Sequence, residues 1–155
     1  MAEYTCNVAA TSNTSTNTDD IFIELKAAAS TTLLLKRVRA TSHATTPADN
    51  EVQIRVTRNS AATGGSGTSY TPLKRRQSSP AATVTGLVKN GATALALGAL
   101  TDTPIRASFN QRGAFEWIAR DKDDYIECVA AQYIEIVIQC SAASQLISVE
   151  CDWEE

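Results

Sequence analysis

From Tyr125 to Glu155 the sequence runs YIECVAAQYIEIVIQCSAASQLISVECDWEE. Between Tyr133 and Cys140 the residues alternate strictly, with Ile134, Ile136, Ile138 and Cys140 on one side and Tyr133, Glu135, Val137 and Gln139 on the other. A period of two is that of a β-strand. After a short turn of small residues the alternation resumes, with Ile147, Val149, Cys151 and Trp153 opposite Ser148, Glu150 and Asp152. The two runs predict an antiparallel hairpin. Its apolar face needs a second sheet laid over it, because a two-stranded hairpin is not stable alone. The chain before it must supply that sheet.

Working back from this end, strand signals recur. Tyr4, Cys6 and Val8 alternate with Thr5, Asn7 and Ala9, and a polar loop follows from Thr11 to Thr18. In the next run Ile21, Ile23 and Leu25 lie opposite Phe22, Glu24 and Lys26, which makes Phe22 an apolar residue on the outward side. Residues 31–40 admit two faces. Leu34, Val38 and Ala40 inward would take Lys36 with them, whereas the other choice buries Leu33, Leu35 and Arg37. The first is preferred, since a Lys stem can lie along apolar surface with its charge in water, although a bulge would spoil either register. Val52, Ile54 and Val56 form the cleanest alternation of the first half. The Gly-containing segment from Ser60 to Ser69 reads as a surface loop, since it lacks the Lys and following helix of a phosphate cradle. Ser79, Pro80 and Gly91 bracket a short helical turn, which Thr83, Val84, Thr85 and Gly86 weaken. Residues 92–100 read as an edge strand or packed loop. Ile105, Ala107 and Phe109 point inward, Phe115 and Trp117 follow, and Asp121, Lys122, Asp123 and Asp124 form a turn. About eight strands at this spacing predict one all-β domain over residues 1–155, an antiparallel β-sandwich with at most one short helix and a jelly roll as the leading topology.

Composition narrows the functional classes. Hydrophobic residues at 43% and charged ones at 20% exclude a disordered chain. No apolar run approaches the roughly 20 residues of a membrane helix, so no membrane partner is expected. A net charge of −3 argues against nucleic acid as a partner, which needs a basic footprint. The start lacks the basic end and apolar stretch of a secretion signal, so synthesis in a cytoplasm is expected. Cys6, Cys128, Cys140 and Cys151 form no CxxC pair, which argues for buried thiols over zinc ligands, with disulfides as the alternative. The single histidine, His43, stands in a Ser/Thr/Pro loop without a nearby nucleophile. The Asp121, Asp123, Asp124 cluster lacks the Gly and closing Glu of a calcium loop. No catalytic residue, metal ligand or cofactor is therefore predicted, and a structural or binding role is expected rather than catalysis.

Outward apolar residues are the remaining signal. Phe22, Tyr133, Val137 and Leu146 fall on faces assigned to solvent, and a cluster of such residues would mark a subunit interface. Lys74, Arg75 and Arg76 form the densest positive patch, read either as a solvated loop tip or as a docking patch for an acidic partner.

The succession IRVTRNSAATGGSGTSYTPL, a small-residue stretch, SFNQRGAFEWIARDKDDYIE and the closing VECDWEE resembles small tailed-bacteriophage head decoration, or capsid cement, proteins. The likeness covers about residues 51–155. It implies a jelly-roll sandwich that clusters, commonly as a homotrimer, on the outside of the virion, with the major capsid protein as partner. It further implies that Lys74 to Arg76 and the N-terminal segment 1–18 are candidates for contact with the shell, the latter also for exchange between subunits. Binding across neighbouring capsid subunits would stabilise the assembled state by mass action, through many weak contacts. The rival expectation is a carbohydrate-binding module or tail-fibre tip. It would need exposed aromatics, which 6% aromatic content supplies thinly.

Overall fold

The computed structural model describes residues 1–43, 48–62, 67–89, 95 and 97–155. The strands, in chain order, are β1 (Glu3–Ser12), β2 (Asp20–Lys26), β3 (Leu33–Ser42), β4 (Glu51–Asn59), β5 (Thr68–Tyr70), β6 (Leu73–Lys74), β7 (Thr85–Val88), β8 (Leu100–Asn110), β9 (Ala114–Ile118), β10 (Ile126–Cys128), β11 (Tyr133–Cys140) and β12 (Leu146–Glu154). Among the described residues there is a single 3-10 turn, Lys122–Asp124, capped by Asp121, whose carboxylate accepts the Asp123 N–H.

Two six-stranded sheets pack face to face. In sheet A the order is β10-β3-β12-β1-β6, with β9 also paired to β3, and in sheet B it is β5-β7-β2-β11-β4-β8. Stripped of the short strands β5, β6, β7 and β10, these reduce to β1-β12-β3-β9 over β2-β11-β4-β8, the interleaved connectivity of a jelly roll. First and last strands lie side by side, and backbone bonds of 3.2 Å run both ways between Ala2 and Glu155. The N-terminal segment expected as a capsid-contacting or exchanging arm is, from Glu3 to Ser12, a strand of its own sheet, with Tyr4, Cys6 and Val8 in the core.

The core fills the space between the sheets. Trp153 and Tyr4 stack at 5.9 Å between ring centroids, and both are fully buried. Each aromatic finds a polar partner for its one polar atom: Tyr4 donates to the Pro80 carbonyl at 3.2 Å, and Trp153 Nε1 to Glu155 Oε1 at 3.4 Å. Burial of a large apolar side chain contributes about 1.5–3 kcal/mol, so these rings are principal anchors. All four cysteines are buried free thiols, with Cys6 and Cys151 opposite one another on β1 and β12.

Four expectations are corrected. Residues 133–140 and 146–154 are strands, but they do not pair as a hairpin. β11 lies in sheet B between β2 and β4, whereas β12 lies in sheet A between β1 and β3. Each is a central strand needing hydrogen-bond partners on both sides, and the 141–145 turn carries the chain across the core.

The second correction concerns β2. Its ladder with β11 slips between Ile136, opposite Ile23, and Val137, opposite Ile21. Phe22 is the extra residue, so Phe22 and Ile23 both enter the main core while Ile21 turns to the far face. Phe22 is therefore buried, not outward. In β3 a similar slip sets Asp152 opposite Arg37 and Trp153 opposite Leu35, leaving Lys36 as the extra residue. Leu33, Leu35, Val38 and Ala40 are all buried, so each of the two candidate faces holds for half the strand. The helical turn expected after Pro80 is absent, and Thr85–Val88 is strand β7 instead. The β-branched residues that weakened the helix favour the pleat. Gly91 and part of the 92–100 stretch lie outside the described residues, as do Gly64 and Gly65.

Candidate functional site

The two sheets differ in what covers their outer faces. On sheet B, the outward side of β11 is roofed by the chain before β8. Val137 is buried with Ile21 and Leu95, and Leu87 packs against them. Beside this apolar group Glu135 has no exposed surface, and its direct neighbours across the ladders are Glu24 on β2 and Thr57 on β4. The Gly98 N–H donates to Glu135 Oε1 at 3.0 Å, while Oε2 has no hydrogen-bond partner among the described residues. Burial pushes the Glu135 carboxyl up to about 7, the Gly98 hydrogen bond opposes that rise, and the Glu24 carboxylate adds to it. A carboxyl in that range has the acidity of a general acid or base. With no accessible surface, however, it meets no substrate in this state.

Sheet A presents the opposite case, an open face of paired charges. Register places Leu73, Thr5, Asp152, Arg37 and Ile118 in one row across β6, β1, β12, β3 and β9. The next row holds Asn7, Glu150, Arg39 and Glu116. Arg37 bonds Glu116 at 3.0 Å, Asp152 at 3.1 Å and Glu150 at 3.3 Å, linking three strands through one guanidinium. Arg75 reaches the same acids from the far edge, at 2.5 Å to Asp152 and 3.5 Å to Glu150. The hydrogen bond with Asp152 raises the Arg75 pKa further.

At one end of the face Lys36, the bulge residue, projects outward between Glu3 at 2.6 Å and Glu154 at 2.8 Å, with the Tyr125 ring 5.7 Å away. Burial works to lower the lysine's pKa, but the hydrogen bonds with Glu154 and Glu3 outweigh it and hold the group above its ordinary value. A shallow depression of about 330 Å³ opens here between Lys36, Arg37, Arg75, Ile118 and Asp152. A second, of about 240 Å³, lies along Asn7, Arg39, Ser148 and Glu150. The two ends of the first row carry exposed aliphatics, Leu73 at 54% and Ile118 at 57%. The face is thus broad and its charge is balanced by internal pairing. Such a surface suits another protein surface better than a small substrate.

The residues singled out from sequence do not form one patch. Phe22 and Val137 are inside the molecule, which overturns their outward assignment. Tyr133 is half-buried beneath Lys26, whose Nζ lies 5.5 Å from its ring. Leu146 is 38% exposed, but it follows Cys140 and the 141–145 turn, at the end of β11 remote from Tyr133. In the basic triplet, Lys74 and Arg76 are exposed, whereas Arg75 is engaged with Asp152. His43 is exposed and its N–H donates to the Leu146 carbonyl. Sequence reasoning missed Ile118, Leu73 and the Arg37 hub. The alternation of Ile118 with Trp117 marked the first as outward, but nothing local marked Arg37, because its three acid partners come from other strands. No group of side chains able to hold a metal ion occurs among the described residues. No protein family, curated protein or solved structure matches this chain.

Proposed function

We propose that this chain is a structural virion protein that decorates the outer surface of a tailed-phage capsid, binding across neighbouring major capsid subunits as a homo-oligomer. The observation that carries the reading is the open face of sheet A, with its internally paired charges, its exposed Leu73 and Ile118, and both chain termini in its strands. The resemblance of residues 51–155 to decoration proteins supports it. A cement protein needs a stiff body and a broad contact surface rather than a deep cleft, and long-lived attachment then comes from many modest contacts per particle. Lys74 and Arg76, exposed beside Leu73 at the rim of this face, are the positive groups free to meet an acidic shell. In this role the protein performs no catalysis. The carbohydrate-binding reading lacks a platform, since every aromatic side chain is at least half-buried.

The deciding measurement is the copy number of the protein in purified particles from its source, by quantitative mass spectrometry against the major capsid protein. A number comparable to the shell subunit is expected. A few copies per particle would move the protein to the tail, and absence would reject the virion role. On purified shells, the double variant Lys74→Glu, Arg76→Glu is expected to weaken binding at least about tenfold without lowering the melting temperature, because both side chains are exposed.

A further inference from the structure

At the seam between β7 and β2, apart from either outer face, sits a closed amine and carboxylate. The chain leaving β7 is held against β2 by the Lys89 N–H, which donates to the Phe22 carbonyl at 3.0 Å. This brings the Lys89 side chain, 0% exposed, onto that of Asp20, 1% exposed, and the two are ion-paired. Thr14 completes the group. Its N–H and its hydroxyl each donate to Asp20 Oδ2 at 2.7 Å, and the same hydroxyl oxygen accepts from Lys89 Nζ at 2.8 Å. The Phe22 ring lies 5.6 Å from Nζ and closes the site on its apolar side. Asp20 Oδ1 has no hydrogen-bond partner among the described residues. A charged carboxylate oxygen left so is costly, and burial of both ions adds their loss of hydration.

We infer that Lys89 and Asp20 join through an intramolecular amide bond, formed by condensation in the folded protein. Transfer of one proton from the ammonium to the carboxylate through the Thr14 hydroxyl gives a neutral amine and a neutral acid. The Nζ lone pair then attacks Asp20 Cγ. A second nitrogen proton follows the same hydroxyl relay to Oδ2, the Cγ–Oδ2 bond breaks, and one water leaves as the C–N bond is completed. No oxidant, reductant or activated co-reactant is required. Two buried ions become one neutral amide, and Oδ1 becomes an amide carbonyl, which is far cheaper to leave unpartnered than a carboxylate oxygen. Holding the two buried side chains in contact supplies the effective concentration that the same reaction lacks in solution. The product ties the start of β2 to the end of β7.

Denaturing mass spectrometry of the purified full-length chain tests this. The expected mass is about 18 Da below that of the sequence after allowance for the initiator Met, one water having been lost. Trypsin should no longer cut after Lys89, and a branched peptide should join the segments holding Lys89 and Asp20. Lys89→Arg should restore the full mass, and Asp20→Asn should give a loss of about 17 Da, ammonia replacing water as the leaving group. Thr14→Val keeps both reacting groups and should slow bond formation at least about tenfold, because the relay is gone. Full mass in folded wild-type protein after prolonged incubation at neutral pH would overturn the inference. So would a deficit that persists in Lys89→Arg, since the water would then come from elsewhere.

Discussion

Glu135 and Val137 lie on the same side of β11 and show how single residues answer to what covers them. The carboxyl of Glu135 sits near 7 in the folded protein against an ordinary 4.5, so between those pH values the folded state holds more protons than the unfolded one. Stability from this group is therefore lost as pH rises from about 5 to about 7, and little more is lost above that. Glu135→Gln, which keeps an acceptor for the Gly98 N–H, should gain about 2 kcal/mol more at pH 8 than at pH 5. Urea unfolding of both proteins at the two pH values measures this, and an equal difference at both would refute it. Val137→Glu places a carboxylate against Ile21 and Leu95 at 1% exposure. It should destabilise the single chain by at least about 3 kcal/mol, read from thermal unfolding. A surface residue at an interface would instead show changed association at unchanged stability.

At the scale of elements, the bulges in β2 and β3 decide which side chains of those strands enter the core. Alternation counts correctly only while the ladder keeps its register, and one extra residue flips every side chain beyond it. Phe22 and Lys36 are those extra residues, the first packed into the core and the second turned out to Glu3 and Glu154. Phe22→Ala should cost about 3–5 kcal/mol in chemical denaturation. Any association between copies should survive in the fraction that remains folded, since the ring faces the core. The strands themselves were legible: Val52, Ile54 and Val56 point inward as their alternation demands. Which of Leu33 to Ala40 face inward was not, because the bulge answers to partners on β12, more than 100 positions away.

For the whole molecule, the pairing of first and last strands gives the N-terminal residues a structural task. Deleting residues 1–12 removes β1 with Tyr4, Cys6 and Val8, and opens the edge of β12. The truncated chain should fail to fold or should aggregate, as judged by circular dichroism and size exclusion, whereas loss of a peripheral arm would leave the sandwich intact. By itself the sequence determined the all-β class, the period-two strands, the burial of the free cysteines and the place of most turns, because these follow from contacts between near neighbours and from side-chain chemistry. Tertiary structure alone decided that β11 and β12 part into different sheets, that Phe22 and Val137 are covered, that Arg37 gathers three acids, and that Lys89 meets Asp20. Each of these depends on which distant strand lies alongside. That choice is made by packing two sheets around one core, and it leaves no periodic trace in the chain.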